Sequence, residues 1–206
     1  MLTAFTASLL LITISELGDK TFFIAAILAT RHARRWVFVG AVLALALMTI
    51  LSVAVGQIAT FLPEQTLKAA EIGLFLLFGV KLLYQAGQMS AAGDHAEEKA
   101  AAEAVANAEH PTAEQQRETA LPTVAEALGL VFVAEWGDRT QIATIALAAA
   151  HPPVGVVFGA VLGHAICAAI AVLCGRWVCG WLSERTLTAL GGGLFLLFAV
   201  VELRAG

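Results

Sequence analysis

Two short stretches hold most of the chemistry in this sequence. Residues 15–24, SELGDKTFFI, set Glu16, Asp19 and Lys20 inside an otherwise apolar run, and residues 134–143, AEWGDRTQIA, set Glu135, Asp138 and Arg139 inside another. On an ideal helix, carboxylates at i and i+3 lie about 60° apart, so each stretch can present a pair of acids on one face. Gly18 and Gly137, between the acids, let a neighbouring backbone approach or let the helix loosen, which would expose carbonyl oxygens to a ligand. Thr21 and Thr140 fall off that face, so their hydroxyls either bond back to the preceding turn and bend it or join the site only if the helix is broken, whereas Gln141, three residues after Asp138, adds a neutral oxygen.

Six ionisable groups at about 3 kcal/mol each would cost on the order of 18 kcal/mol at the centre of membrane helices, so they must pair, bind something or lose their charge. Pairing within each helix, Glu16 with Lys20 and Glu135 with Arg139 at i+4, would leave Asp19 and Asp138 without partners. Four carboxylates less two cations leave about two negative charges, which one divalent cation balances. The motifs offer only oxygen donors, so hard ions such as Mn²⁺, Ca²⁺ or Mg²⁺ are expected rather than copper or zinc. Crowded carboxylates away from water hold protons until a metal displaces them, so exchange of cation for protons is expected. Lys20 and Arg139 then act as ion-pair switches, tethered cations that pair with the motif acids when the site is empty.

The elements that must hold these groups are transmembrane helices. The chain has 206 residues, is 59% hydrophobic and only 14% charged, and has a mean hydropathy of +0.83, which places it among integral membrane proteins. Apolar stretches of span length fall at 2–30, 36–62, 67–89, 122–150, 153–182 and 187–204. The fold class expected is all-α, a polytopic protein of six spans. No Lys or Arg precedes Lys20, so the first stretch is read as a retained helix and not as a signal peptide.

Residues 90–120 separate two halves, 1–89 and 121–206. Rich in Ala and Glu and without an apolar stripe, they are read as a solvated acidic linker, helical at most in part. Arg31, Arg34, Arg35, Lys99, Arg117, Arg176 and Arg185 fall on one side of the six-span arrangement and chiefly Lys68 and Arg204 on the other. The richer side is expected to be cytoplasmic, with the linker there and both termini outside. Lys81 can snorkel to that side.

The halves are copies. An offset of 119 lays SELGDKTFFIAAILA on AEWGDRTQIATIALA and GAVLALA (40–46) on GAVLGHA (159–165), and an offset of 120 lays residues 64–80 on 184–200. Three spans per copy is an odd number, so the second copy enters the membrane from the opposite face. Two inverted three-helix repeats are the layout of secondary transporters, with the binding site near mid-membrane between them.

Two copies of E-x-G-D-[KR]-T, at 16–21 and 135–140, in two three-span repeats joined by an acidic linker, resemble the second calcium:cation antiporter family, which includes the Golgi manganese/calcium transporter and bacterial manganese exporters. The resemblance covers essentially the whole chain. It implies export of a divalent cation, Mn²⁺ first and Ca²⁺ next, against protons across a bacterial inner membrane. Glu16, Asp19, Glu135 and Asp138 stand at the family's motif acids, with Thr21, Thr140 and Gln141 beside them. It implies no enzyme, no permanent cofactor and no nucleic-acid partner; the bilayer, the metal and protons are the partners expected.

Other residues have plainer explanations. His164, in the fifth span, is a candidate proton relay or a hydrogen-bonded helix contact. Gly155, Gly159 and Gly163 read as a packing seam, Glu71 and Glu202 as carboxylates solvated near the membrane surface with a possible part in ion access, and Cys167 and Cys174 as buried small side chains. All three cysteines, Cys179 included, sit in or near one span and suggest no disulfide framework. The competing functions are an exporter of small organic solutes such as amino acids, which four carboxylates suit less well, and an intramembrane aspartyl protease. The latter's G-x-G-D element is incomplete here because Leu17 precedes Gly18, and Tyr84 is followed by Gln85 in place of the Asp of a Y-D partner.

Overall fold

The structure is a computed structural model. It describes residues 1–89, 95–108, 120–181 and 183–205, without the side chains of 175–181 and 205, so Arg117 and the side chains of Arg176 and Cys179 lie outside the described residues. The described residues form helices and no strand: α1 (Leu2–Glu16), α2 (Lys20–Arg31), α3 (Arg34–Ala59), α4 (Glu64–Gln88), α5 (Ala96–Ala108), α6 (Ala120–Glu135), α7 (Arg139–Ala150), α8 (Pro153–Trp181) and α9 (Glu184–Ala205). By length and composition α3, α8 and α9 can each cross a membrane, and α6 with α7 makes a fourth candidate bent by 75°. The candidates number fewer than six, since α4 and the pair α1 and α2 are not among them, and both motif stretches, expected as continuous helices, are broken at their glycines. Gly18 (φ +78°) and Gly137 (φ +84°) are the described glycines with positive φ, a conformation in which a side chain would crowd the backbone and which ends a helix.

The packing follows the repeat. α1 lies along α8 as α6 lies along α3, α2 meets α8 as α7 meets α3, and α4 packs on α9. A Cβ at Gly40 would strike the Val124 carbonyl and Ala127, and one at Gly159 would strike the Phe5 carbonyl and Ser8, the same positions in the other copy at the offset of 119. The glycine seam of α8 is therefore a close helix contact with α1, as its four-residue spacing predicts. Phe75 and Phe195, equivalent at the offset of 120, are fully buried and meet edge to face with centroids 5.8 Å apart. Outward faces stay apolar: Leu43, Leu47, Ile50 and Val55 on α3 and Phe158 and Leu162 on α8 are exposed, as surfaces solvated by lipid tails would be.

Part of the linker departs from expectation. Residues 96–108 form α5, and Ala101 and Val105 are completely buried against α2 and α6. Ala100, Ala104 and Ala108 flank them at helical spacing. A stripe of alanines registers poorly as hydrophobic, yet small side chains let a helix pack closely. The helix is also held by its start, where the Ala96 and Glu97 amides donate to the Glu184 carboxylate at 3.1 and 2.9 Å, the acceptor that unsatisfied N-terminal N–H groups require.

Candidate functional site

The helix breaks bring three of the four motif acids to one place. Glu16 and Glu135 are the last residues of α1 and α6, and Asp19 and Asp138 are the N-caps of α2 and α7. The spacing that holds on an unbroken helix therefore does not set the geometry. Carboxylate oxygens of Glu16, Glu135 and Asp138 converge to within 4.8 Å of one another, drawing on both copies. Glu16 and Glu135 are both 2% exposed, and Glu16 Oε1 and Glu135 Oε2 accept no hydrogen bond. Buried carboxylate oxygens without a donor are costly. Gathered in this way, the three acids can accept a positively charged group.

The threonines join because the helices are broken. Thr21 Oγ1 lies 3.1 Å from Glu16 Oε2, and Thr140 Oγ1 lies 2.9 Å from Glu135 Oε1 and 3.0 Å from Asp138 Oδ2. Asp138 Oδ2 also accepts the Thr140 amide at 3.0 Å, capping α7.

The two copies part company at the remaining acid. Asp19 makes no such cap and instead takes a 2.7 Å ion pair from Arg139 of the other copy, whose guanidinium also donates to the Ser15 carbonyl at 3.3 Å. The expected pairing of Glu135 with Arg139 is thereby replaced by one across the repeats, because the break turns Arg139 away from the end of its own α6. Among the described residues Lys20 makes no ion pair within 4.0 Å. Gln141 does not offer its oxygen to the cluster: Oε1 accepts the Gly137 amide at 2.7 Å, and Nε2 lies 3.2 Å from Met48 Sδ. It fastens the turn that the broken helix leaves open.

His164 is buried in α8, and its Nδ1 has no hydrogen-bond partner. It lines a small void with Glu16 and Thr21, so the hydrogen-bonded helix contact is not made at that nitrogen, and the imidazole stands beside the cluster. Cys167 donates to the Thr13 carbonyl at 3.2 Å, a packing contact, while Cys174 is exposed.

A cavity of about 290 Å³ on the α5 side is lined by Ser15, Gly18, Tyr84, Gln85, Glu97 and Arg139 among others, and it meets the motif region at Arg139 and Gly18. Glu97, which the spacing of the motifs could not have singled out, stands at this mouth. Partial burial holds its carboxyl above the usual glutamate range, and Arg139 opposes that shift. At the other end of α4, Glu71 is 1% exposed, so it is not solvated at a membrane surface as its place in the sequence suggests. It faces His151 and Glu202, a cluster that neither the motif nor the alignment of the copies points to, since the residue equivalent to Glu71 is Gly191.

The family model described as divalent cation/proton antiporter GDT1 matches residues 4–90 and 123–206. This chain belongs to the GDT1 family. It is 58% identical over 202 residues to a GDT1-like protein of Synechocystis, covering 98% of this chain and 97% of the relative. It is 41% identical to the chloroplastic GDT1-like protein 2 of rice, over 96% of this chain and 60% of that protein, and 42% identical to the chloroplastic protein PAM71 of Arabidopsis, over 98% of this chain and 56% of that one. No solved structure gives a significant match. The GDT1 family is one of divalent cation/proton antiporters, and with its apolar helices this member is an integral membrane protein.

Proposed function

We propose that this GDT1 protein exports Mn²⁺, with Ca²⁺ as second choice, in exchange for protons, and that the ion passes through the cluster of Glu16, Glu135 and Asp138. The observation that carries the reading is the convergence of three carboxylates from both copies, with two buried oxygens left without donors. Arg139 neutralises Asp19, so three acids remain for a divalent cation and one further positive charge, a proton or the Lys20 ammonium. Each acid offers one oxygen, with Thr21 and Thr140 hydroxyls beside them. So small a donor set in packed helices suits a six-coordinate ion such as Mn²⁺ better than Ca²⁺, which takes six to eight oxygens. Protons and the cation compete for the same oxygens, and that competition is the coupling. His164 relays the proton in this reading, which the void it shares with Glu16 supports.

The architecture proposed is six spans in two inverted repeats, 1–89 and 121–206, with the broken motif helices pairing as the first and fourth spans. Its support is the meeting of equivalent residues, Phe75 with Phe195 and Glu16 with Glu135, which a two-fold axis between copies requires. The linker is then cytoplasmic, the termini outside and the membrane a bacterial inner membrane. The α5-side cavity would be the cytoplasmic mouth.

Purified protein in proteoliposomes tests the reading. A pH gradient should drive Mn²⁺ accumulation, with a trapped pH dye reporting opposite proton movement, and Glu16→Gln and Glu135→Gln should abolish flux about equally because the site is shared. Accumulation that survives collapse of the gradient would make the protein a uniporter, and normal flux in either variant would remove the shared site.

A further inference from the structure

α7 begins at the central cluster and ends beside a second one. Twelve residues long, it spans about 18 Å, and the residue after it is His151. His151 Nε2 lies 3.2 Å from Glu71 Oε1 of α4 and 3.4 Å from Glu202 Oε1 of α9. One ligand atom from each of the three lies within 4.8 Å of the others. His151 stands within ion-pair distance of both carboxylates, yet Glu71 Oε1, Glu71 Oε2 and His151 Nε2 are buried and make no hydrogen bond. A buried carboxylate whose oxygens accept no hydrogen bond, an imidazole nitrogen and a second carboxylate thus gather from three parts of the chain. Ligands held about 2.1 Å from a metal stand about 3.0–3.5 Å apart in octahedral or tetrahedral arrays, which matches these separations.

We propose that Glu71, His151 and Glu202 form a second divalent-cation site, at the end of the molecule opposite α5, selective for a transition-metal ion of the Mn²⁺ class. Two oxygens and one imidazole nitrogen suit such an ion, whereas Ca²⁺ and Mg²⁺ favour oxygen alone. The site opens into a cavity of about 430 Å³, also lined by Thr60, Glu64 and Lys68, with room for waters to complete the coordination. α4 relates the two ends: Glu71 lines this cavity and Tyr84 and Gln85 line the α5-side one, and fourteen residues of helix separate Glu71 from Gln85 by about 21 Å. Among the described residues the other copy shows nothing equivalent. His32, its counterpart to His151, stands 3.5 Å from Glu126, the one carboxylate it meets among the described residues. Only the further role of this site, as the ion's stop on the side where export ends, rests on the transport reading.

The test is Mn²⁺ binding to the purified full chain, read by equilibrium dialysis and by pulsed electron paramagnetic resonance, in a Glu16→Gln/Glu135→Gln background that removes the central site. One Mn²⁺ should remain bound and show nitrogen modulation from the imidazole, and excess Ca²⁺ should not displace it. His151→Gln should abolish the nitrogen signal and weaken binding by more than the roughly 10–100-fold that loss of an outer-shell partner costs. Glu202→Gln, at a half-buried position, should weaken binding by a similar factor while the fold, followed by thermal melting, is kept. Absence of nitrogen modulation in the background protein, its persistence in His151→Gln, or unchanged affinity in both variants would overturn the site. Because the readout is binding, loss of transport by the central cluster leaves this outcome unaffected.

Discussion

At the residue scale, the decisive contact is Arg139 with Asp19. Two charges with 24% and 9% of their side chains exposed are tolerable together and costly apart, and removing one partner of such a pair destabilises by about 3–5 kcal/mol. Arg139→Met should therefore lower the melting temperature of the purified protein markedly, and Asp19→Asn in the same chain should recover most of the loss, since the orphaned carboxylate is then gone. Arg139→Lys should recover part of it by restoring the charge without the contact to the Ser15 carbonyl. Lys20→Met should leave the melting temperature nearly unchanged, because Lys20 holds no ion pair among the described residues. A drop as large as that of Arg139→Met would show that the two motif cations are equivalent after all.

At the element scale, the glycine turns and α5 each make a prediction. Both Gly18 and Gly137 hold positive φ, so an alanine at either position is strained by about 1–2 kcal/mol. The surroundings differ: a Cβ at Gly18 would come within 2.5 Å of Leu187 Cδ1, and one at Gly137 meets open space. Gly18→Ala should destabilise more than Gly137→Ala in thermal melts, and Leu187→Ala should rescue part of the Gly18→Ala loss and none of the other. For α5, Glu97 holds its proton to higher pH docked than free, because docking buries it. A carboxyl raised in this way favours the docked helix below its ordinary range, and the advantage is lost as pH rises through the raised value. A spin label on α5 should thus show more of the undocked position as pH climbs above the ordinary glutamate range, Glu97→Gln should flatten that dependence, and Glu184→Gln should loosen the helix at every pH by weakening the acceptor for its first amides.

At the scale of the whole molecule, the copies contact through backbone, and glycine is what permits it. Cβ atoms at Gly40 and Gly159 would each strike the opposite copy's helix backbone, which side-chain rearrangement cannot relieve. Gly159→Leu should separate α1 from α8, and Gly40→Leu should separate α3 from α6, each costing transport along with stability. If either variant transported normally with an unchanged melt, the close seam between the copies would not be needed. The Phe75 and Phe195 contact offers a gentler probe: Phe75→Leu should cost on the order of 1 kcal/mol, as an uneven volume change in a packed core does.

The sequence by itself determined what is local or periodic. Six apolar stretches, a doubled E-x-G-D-[KR]-T and the offset of 119 are all one-dimensional, and they were enough to point to a membrane carrier with paired acids and to the family it belongs to. The glycine seam was legible too, because its four-residue spacing is helical geometry written directly in the chain. What only the tertiary structure decided is which side of each break a group faces. Glu16, Glu135 and Asp138 gather while Asp19 leaves for Arg139, since two glycines at positive φ replace helical spacing with turn geometry that no periodicity encodes. Gln141 turned to its own backbone for the same reason. Glu71, His151 and Glu202 come from three elements far apart in sequence, and α5 packs through alanines too weakly apolar to announce a buried face. Burial and pairing at such places depend on what the rest of the chain brings alongside, and that is set by the packing of helices and not by the residues themselves.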